Sequence, residues 1–170
     1  MLIQFTVENH RSIKNSAVIS FAASKDKSFE EYLLHPDEKR ALLPALAIYG
    51  ANAAGKSNVL HAMMTMKEMV VGNAAKVSKG QMLPWEPFGG TKEPTCFEMA
   101  FIFQGIRYTY GFSFDEKKIY KEYLYHWPNG REALIFSREN GVYEFRENVN
   151  EQVTLSNRTP DNKLYLVSSN

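Results

Sequence analysis

The residue run with the clearest chemical meaning is Gly50-Ala51-Asn52-Ala53-Ala54-Gly55-Lys56-Ser57. It matches the pattern G-x-x-x-x-G-K-[ST] at every fixed position. The glycines allow a tight backbone turn whose N–H groups point at phosphate oxygens, and Lys56 adds a positive charge for the β and γ phosphates. The Ser57 hydroxyl is the expected ligand of Mg²⁺. The run therefore predicts a phosphate-binding loop, or P-loop, that binds ATP and Mg²⁺.

The segments on either side of this loop have the patterns that such a loop requires. Residues 42–49 form a short, nearly continuous apolar run, which predicts a strand buried on both faces of a mixed or parallel sheet. Residues 56–70 repeat apolar side chains at helical spacing, which predicts a helix of about four turns. The positive end of that helix would then face the bound phosphates.

The remainder of the first half predicts a hairpin and two irregular connections. Residues 2–7 alternate apolar and polar side chains, and residues 17–22 repeat the pattern after a break, which predicts two paired strands. Residues 24–41 are charged and aperiodic, which predicts a solvated connection or a short surface helix. The glycines and prolines of residues 72–95 indicate a long irregular insertion.

The second half predicts an antiparallel β-meander. Its strand patterns cover residues 97–103, 106–114, 119–127, 133–136 and 142–145, and Gln104-Gly105, Asn129-Gly130 and Asn140-Gly141 lie between them. Asn-Gly is typical of the type I′ hairpin turn, because both central residues of that turn need positive φ. The predicted fold class is α/β (α+β), a P-loop core with a mixed sheet around its helix beside an antiparallel β-meander.

Composition limits the possible partners and surroundings. The chain has 170 residues, a hydrophobic fraction of 44% and a formal net charge of +1, which indicates a globular protein without a global field for nucleic acid or anionic membrane. Its single cysteine, Cys96, excludes an intrachain disulfide framework. No apolar run approaches the ~18 residues that a spanning helix needs, and the alternating N-terminus is unlike a signal peptide. We expect a cytoplasmic protein.

Two segments carry a resemblance to a known family. The loop, with Asn52 inside it and Asn58 directly after Ser57, resembles the Walker A motif of the SMC, RecF and OLD group of ABC-type ATPases. Asn9-His10-Arg11-Ser12 is similar to the Asn-Phe-Arg-Ser element that ends the first strand in that group, with His10 as a departure. Tyr108-Thr109-Tyr110-Gly111 resembles a strand of bacterial OLD-like and phage-defence ATPases.

The resemblance implies an organisation and a site. The chain would be the N-terminal part of an ABC-type ATPase head, with a nucleotide-binding core over residues 1–71, an insertion over 72–95 and an antiparallel β-lobe over 96–170. Arg11 and Ser12 would lie near the phosphates, together with residues 50–58. The complete head would hydrolyse ATP as a head-to-head homodimer, in DNA repair or phage defence, with a possible nuclease or DNA partner.

The family's catalytic segments are not found before Asn170. The signature segment, Walker B and switch histidine of ABC ATPases would follow the β-lobe, and residues 77–81 only superficially resemble a signature. No residue is therefore assigned as catalytic, and we expect the chain alone to bind ATP with little turnover. One alternative is an AAA+ ATPase that uses Asp115 and Glu116 as Walker B. A second alternative is a regulatory module that binds ATP without hydrolysing it.

The four histidines, His10, His35, His61 and His126, show no metal-ligand spacing. No second histidine and no cysteine lies three or four residues from any of them in a pattern that would indicate a zinc site. The sequence therefore predicts packing or surface histidines.

Overall fold

The computed structural model describes residues 1–26, 28–71, 78–147 and 149–168. The strands of this part of the chain are β1 (Leu2–Glu8), β2 (Ala17–Ser20), β3 (Leu34–Asp37), β4 (Arg40–Leu42), β5 (Thr95–Phe103), β6 (Ile106–Phe114), β7 (Ile119–Trp127), β8 (Ala133–Glu139) and β9 (Val142–Phe145). Its α-helices are α1 (Lys56–Val71), α2 (Val149–Ser156) and α3 (Tyr165–Ser168). Short 3₁₀ turns occur at Glu30–Tyr32 and Phe88–Gly90. None of the helices in the described ranges is long and apolar enough to cross a membrane.

Seven strands form one sheet in the order β2-β1-β5-β6-β7-β8-β9, and every pairing in it is antiparallel. The predicted β1–β2 hairpin and β-meander are confirmed. The predicted mixed sheet is wrong for the described residues, because β1 pairs antiparallel with β5 and no parallel strand joins the sheet there. Strands from the predicted core and the predicted β-lobe therefore share one continuous sheet.

The hairpin turns of the meander follow from local backbone conformation. Asn140 and Gly141 have φ of 48° and 83°, as the predicted type I′ turn requires. Gln104 and Gly105 have φ of 49° and 77°, so this turn is of the same kind although its sequence signal is weaker. At Asn129-Gly130 only the glycine has positive φ, because β7 and β8 are joined by the longer connection 128–132.

The core lies on one face of the sheet, where aromatic side chains of neighbouring strands meet. The cross-strand pairs Val7–Phe97 and Phe97–Phe112 lie on this face, and all three side chains are at most 2% exposed. Helix α1 packs against them through Ala62, Met66 and Met69, as its helical spacing predicts. Leu60, although it is one of the apolar residues of α1, is 57% exposed.

A buried carboxylate fixes the C-terminal segment to the sheet. Glu122 of β7 is fully buried and accepts hydrogen bonds from the Tyr110 hydroxyl at 2.9 Å and from the backbone N–H groups of Tyr165 and Leu166 at 2.7 and 3.0 Å. The two N–H groups belong to the first turn of α3, whose unpaired donors the carboxylate satisfies. This contact holds Tyr165 in the aromatic core beside Phe136.

Two predictions for residues 24–49 are wrong. The exposed 3₁₀ turn Glu30–Tyr32 fits the predicted connection or short surface helix over residues 24–41, but that prediction fails after it, because strands β3 and β4 form a small two-stranded hairpin. The apolar run 42–49 contributes only its first residue, Leu42, to a strand, and residues 44–50 are exposed. The physical reason is that a strand needs a hydrogen-bonding neighbour. The Leu43 N–H still donates to the Phe21 carbonyl at 2.7 Å, but within the described ranges residues 44–49 have no such backbone partner.

Candidate functional site

The loop of residues 50–57 leads directly into α1, which begins at Lys56. Three of its residues have positive φ, namely Ala53, Gly55 and Gly50 at 63°, 85° and 158°. The Lys56 ammonium folds back over the loop and donates to the carbonyl oxygens of Gly50 and Ala51 at 2.8 and 2.7 Å. Residues 53–58 line a cavity of about 230 Å³ beside these groups. The arrangement places a cation and a helix N-terminus at one small, open pocket, which suits a phosphate group.

Ser12 braces this loop from the end of β1. Its hydroxyl accepts a hydrogen bond from the Asn58 side chain at 2.6 Å. A Cβ atom on Gly55 would lie 2.6 Å from the Ser12 oxygen, and Gly55 has a φ of 85°. Position 55 therefore requires glycine both for its backbone conformation and for the close approach of Ser12. The structure thus places Ser12 against the loop, whereas its position near bound phosphates stays a prediction.

Arg11 precedes Ser12 in the chain, but its guanidinium forms an ion pair with Glu86 and no hydrogen bond with the described loop residues 50–57. Its Nε and a terminal nitrogen donate to the two carboxylate oxygens of Glu86 at 2.7 and 3.2 Å, and its backbone N–H donates to the Glu86 carbonyl at 2.7 Å. The hydrogen bond from Arg11 lowers the pKa of Glu86, which keeps the carboxylate charged near neutral pH. The predicted role of Arg11 in binding phosphate therefore requires it to exchange Glu86 for a ligand.

Asn9 connects the end of β1 to the segment that carries Glu86. Its side-chain amide donates to the Glu93 carbonyl at 2.5 Å, while its side-chain oxygen accepts from the Phe88 N–H at 3.0 Å and the Thr91 hydroxyl at 3.1 Å. The Thr95 hydroxyl donates to the Asn9 carbonyl at 2.6 Å. Asn9 has a φ of 52°, a conformation that asparagine tolerates better than most residues. The first residue of the Asn-His-Arg-Ser element thus has a structural role that the sequence analysis did not assign.

His10, His61 and Glu86 form a cluster next to the loop. His10 Nε2 lies 3.2 Å from His61 Nδ1, and His61 Nδ1 lies 3.8 Å from a Glu86 carboxylate oxygen. Burial lowers the pKa of His10 to about 4, so its imidazole is neutral at pH 7. The sequence predicted packing or surface roles for the four histidines but not this pairing of His10 with His61, because residues 51 positions apart in the chain give no spacing signal.

The carboxylates considered as an alternative Walker B lie in a turn. One oxygen of Asp115 accepts from the backbone N–H groups of Lys117 and Lys118 at 2.7 and 2.9 Å, and the other accepts from the Tyr120 hydroxyl at 2.7 Å. The preceding strand β6 is antiparallel to both neighbours. Asp115 therefore stabilises the β6–β7 connection, and its local partners use both of its oxygens.

The resemblance of residues 77–81 to a signature segment gains no support from the described residues. Ser78 and Gln81 close a turn through a 3.0 Å backbone hydrogen bond, and their carbonyl oxygens both accept from the Asn162 side chain at 2.9 Å. Residue 77 lies outside the described ranges. The turn thus connects two distant parts of the fold.

Comparison with known proteins identifies the family of the domain. The sequence profile of the family described as "AAA domain, putative AbiEii toxin, Type IV TA system" matches residues 45–149, which is more than half of the chain. The chain belongs to this family. It therefore carries an AAA-type domain with a P-loop and an ATP-binding, ATPase-like function. A search of curated proteins found no match.

The match begins just before the P-loop and extends through the meander to the start of α2. It thus joins the phosphate-binding loop and the antiparallel strands in one family domain. The individual roles predicted for residues 50–58, for Arg11 and Ser12, and for Ser57 as a ligand of Mg²⁺ stay predictions.

Proposed function

We propose that this chain is the N-terminal part of an ABC-type ATPase head, similar to those of the SMC, RecF and OLD group, and that it binds Mg-ATP through residues 50–58. The observation that carries the proposal is the loop itself. Lys56, the start of α1 and the 230 Å³ cavity converge on one exposed pocket. The family match supports a P-loop of the ATP-binding type.

Binding would proceed by exchange of hydrogen bonds at Lys56. Its ammonium now satisfies two carbonyl oxygens within the loop, and the β and γ phosphates of ATP offer stronger, charged acceptors for the same donors. Ser57 lies at the first turn of α1 and is exposed, so its hydroxyl is accessible to Mg²⁺. Ser12 and Asn58 would hold the loop in the shape that receives the phosphates.

Arg11 would join the site by leaving Glu86. The two side chains are 35% and 48% exposed, and an ion pair at such exposure contributes about 1 kcal/mol or less. A bound triphosphate carries several negative charges, so it competes well for the guanidinium. This exchange would couple nucleotide binding at the P-loop to the segment that contains Glu86.

Hydrolysis and partners belong to a larger assembly in this proposal. The water-orienting and charge-stabilising groups would come from a signature segment, Walker B and switch histidine of the complete head and of a second head in a head-to-head homodimer. The exposed apolar residues 44–49 would then pair as a strand within the complete sheet. A cytoplasmic role in DNA repair or phage defence, with a nuclease or DNA partner, completes the proposal.

The test of nucleotide binding compares two lysines of the same helix. Lys56→Ala should weaken the affinity for Mg-ATP at least about tenfold, because it removes a charge-assisted contact of roughly 1.5–3 kcal/mol. Lys67→Ala removes an exposed lysine of α1 three turns away and should leave the affinity unchanged. Titration of each variant with a fluorescent ATP analogue measures both constants. Equal affinities in wild type and Lys56→Ala would reject the proposed site.

A further inference from the structure

Three side chains with metal-binding atoms meet beside the phosphate-binding loop, and each comes from a different segment. His10 follows β1, His61 lies on α1, and Glu86 belongs to the segment before β5. One ligand atom from each lies within 4.8 Å of the other two, and no other group of this kind occurs in the described ranges. Neither the P-loop nor the proposed nucleotide contacts account for this convergence.

The spacing of the two imidazoles matches a coordinated metal ion. Two nitrogens bound to tetrahedral Zn²⁺ at about 2.0–2.1 Å lie about 3.3–3.4 Å from each other. His10 Nε2 and His61 Nδ1 are 3.2 Å apart, so a slight separation of the two rings would bring the nitrogens to this spacing. The Glu86 oxygen lies 3.8 Å from the His61 nitrogen, within the reach of a rotation of its side chain.

We propose that His10, His61 and Glu86 form a binding site for a first-row transition metal ion such as Zn²⁺. Two imidazole nitrogens and one carboxylate oxygen are ligand types that Zn²⁺ accepts, and three protein ligands leave a fourth position for water. The site would tie α1 to the end of β1 and to the segment before β5. These are the elements that also support the P-loop.

The surroundings hold the ligands in place before a metal arrives. The His10 ring is fully buried, stacks on His61 with centroids 5.4 Å apart and meets the edge of Phe97 at 5.5 Å. Its backbone is fixed by reciprocal hydrogen bonds with Ile13, both of 2.8 Å. Such fixed ligands lose little conformational entropy on binding a metal, which favours affinity.

The positive charge of Arg11 should lower the affinity of the site for a metal ion, and this expectation gives the proposal a specific test. The guanidinium occupies both oxygens of Glu86, so a metal ion must displace it or share the carboxylate with a positive charge. Arg11→Gln would free Glu86 and remove that charge. The affinity for Zn²⁺ should therefore increase by about threefold or more in this variant, an outcome that a simple histidine packing pair does not predict.

The experiment titrates Zn²⁺ into the metal-free chain at pH 7 by calorimetry, and Co²⁺ absorption reports the coordination geometry. Wild type should bind one Zn²⁺ per chain, and Co²⁺ should give the intense visible bands of a tetrahedral site. His61→Gln should weaken Zn²⁺ binding at least about tenfold and abolish the Co²⁺ bands. His61 is chosen over the buried His10 because its side chain is 35% exposed, so the variant should still fold.

The matched control is His35→Gln, which changes an exposed histidine of β3 and should leave both signals intact. Circular dichroism of each variant verifies that the fold is retained. The proposal is overturned if folded wild type binds no stoichiometric Zn²⁺, or if His35→Gln and His61→Gln lose affinity equally. It is also overturned if Arg11→Gln binds Zn²⁺ more weakly than wild type.

Discussion

The P-loop region and the β-meander differ in how their apolar residues are used. In the meander, Phe112, Phe114 and Ile119 are at most 2% exposed and lie in a sheet whose strands satisfy each other's backbone groups. Before the P-loop, Leu46, Ile48 and Tyr49 are 39%, 41% and 90% exposed, in a segment without a strand partner in the described ranges. The meander is stabilised by its own buried sheet, whereas the segment before the P-loop is exposed and the loop itself is held by a few hydrogen bonds, among them that of Asn58 to Ser12.

The two regions therefore contribute to different properties: the meander to stability, and the P-loop region to ligand binding. Burial of aromatic side chains of the meander and of alanine and methionine side chains of α1 supplies most of the favourable free energy of folding, since that term scales with buried apolar area. The loop instead exposes donors that its own carbonyls satisfy only in part, which leaves them available for phosphate. Changes in the meander should therefore affect stability, and changes in the loop should affect binding.

The largest effect on stability is expected at the centre of the meander. Phe112→Ala should lower the free energy of unfolding by about 3–5 kcal/mol, because it opens a cavity among Phe97, Tyr110 and Phe114. Phe103→Ala, at the 58% exposed end of β5, should cost less than about 1 kcal/mol. Urea denaturation measures the free energy of unfolding of both variants. Similar losses of stability in the two would contradict the position of Phe112 in the core.

The next prediction concerns ATP turnover. If the charge-stabilising groups come from the rest of the head and from a second head, as proposed, the chain alone should hydrolyse Mg-ATP barely above background, because the loss of each such group costs about 10²–10³ in rate. Asp115→Asn and Glu116→Gln should leave turnover unchanged, since Asp115 is engaged in the β6–β7 connection. A steady-state phosphate-release assay measures turnover.

Lys56→Ala serves as the control for contaminating ATPases in that assay. Sustained turnover in wild type that disappears in Glu116→Gln would show that this chain uses the AAA+ arrangement. The same result would show that the meander does more than stabilise the fold, because it would then contribute directly to catalysis.

Some features of the fold and of the site could be predicted from the sequence, and others could not. Hairpins and strands with period-two patterns were predictable because their partners are neighbours in the chain, as for β5, β6 and β7. The apolar run before the P-loop was wrongly predicted to be a buried strand, because the described part of the chain has no neighbouring strand that pairs with most of it. The cluster of His10, His61 and Glu86 was missed because only the folded chain brings these residues together.

A pH dependence should originate at the junction of the two regions. Burial holds the pKa of His10 at about 4, below its ordinary value of 6.5, so between these values the unfolded chain binds more protons than the folded one. The contribution of His10 to stability is therefore fully present above pH 6.5 and is lost progressively as the pH falls to about 4. The expected loss is on the order of 3 kcal/mol.

The measurement is urea denaturation of the metal-free chain across this pH range. His10→Gln should reduce the slope of stability against pH, whereas His35→Gln, which changes an exposed histidine, should retain it. An unchanged slope in His10→Gln would show that other groups cause the dependence.

The smallest effect is expected from a polar substitution in the segment before the P-loop. Ile48→Ser should change the free energy of unfolding by less than about 0.5 kcal/mol, because a residue that is 41% exposed and outside any strand loses little packing. The same substitution at Ile119, which is 2% exposed, should cost at least about 2 kcal/mol. Because both variants exchange isoleucine for serine, the difference between them measures the burial and the strand environment of Ile119 against those of Ile48. If Ile48→Ser proved as costly as Ile119→Ser, the segment would be packed within the chain in solution, and the contrast between a self-supporting meander and an exposed loop region would be wrong.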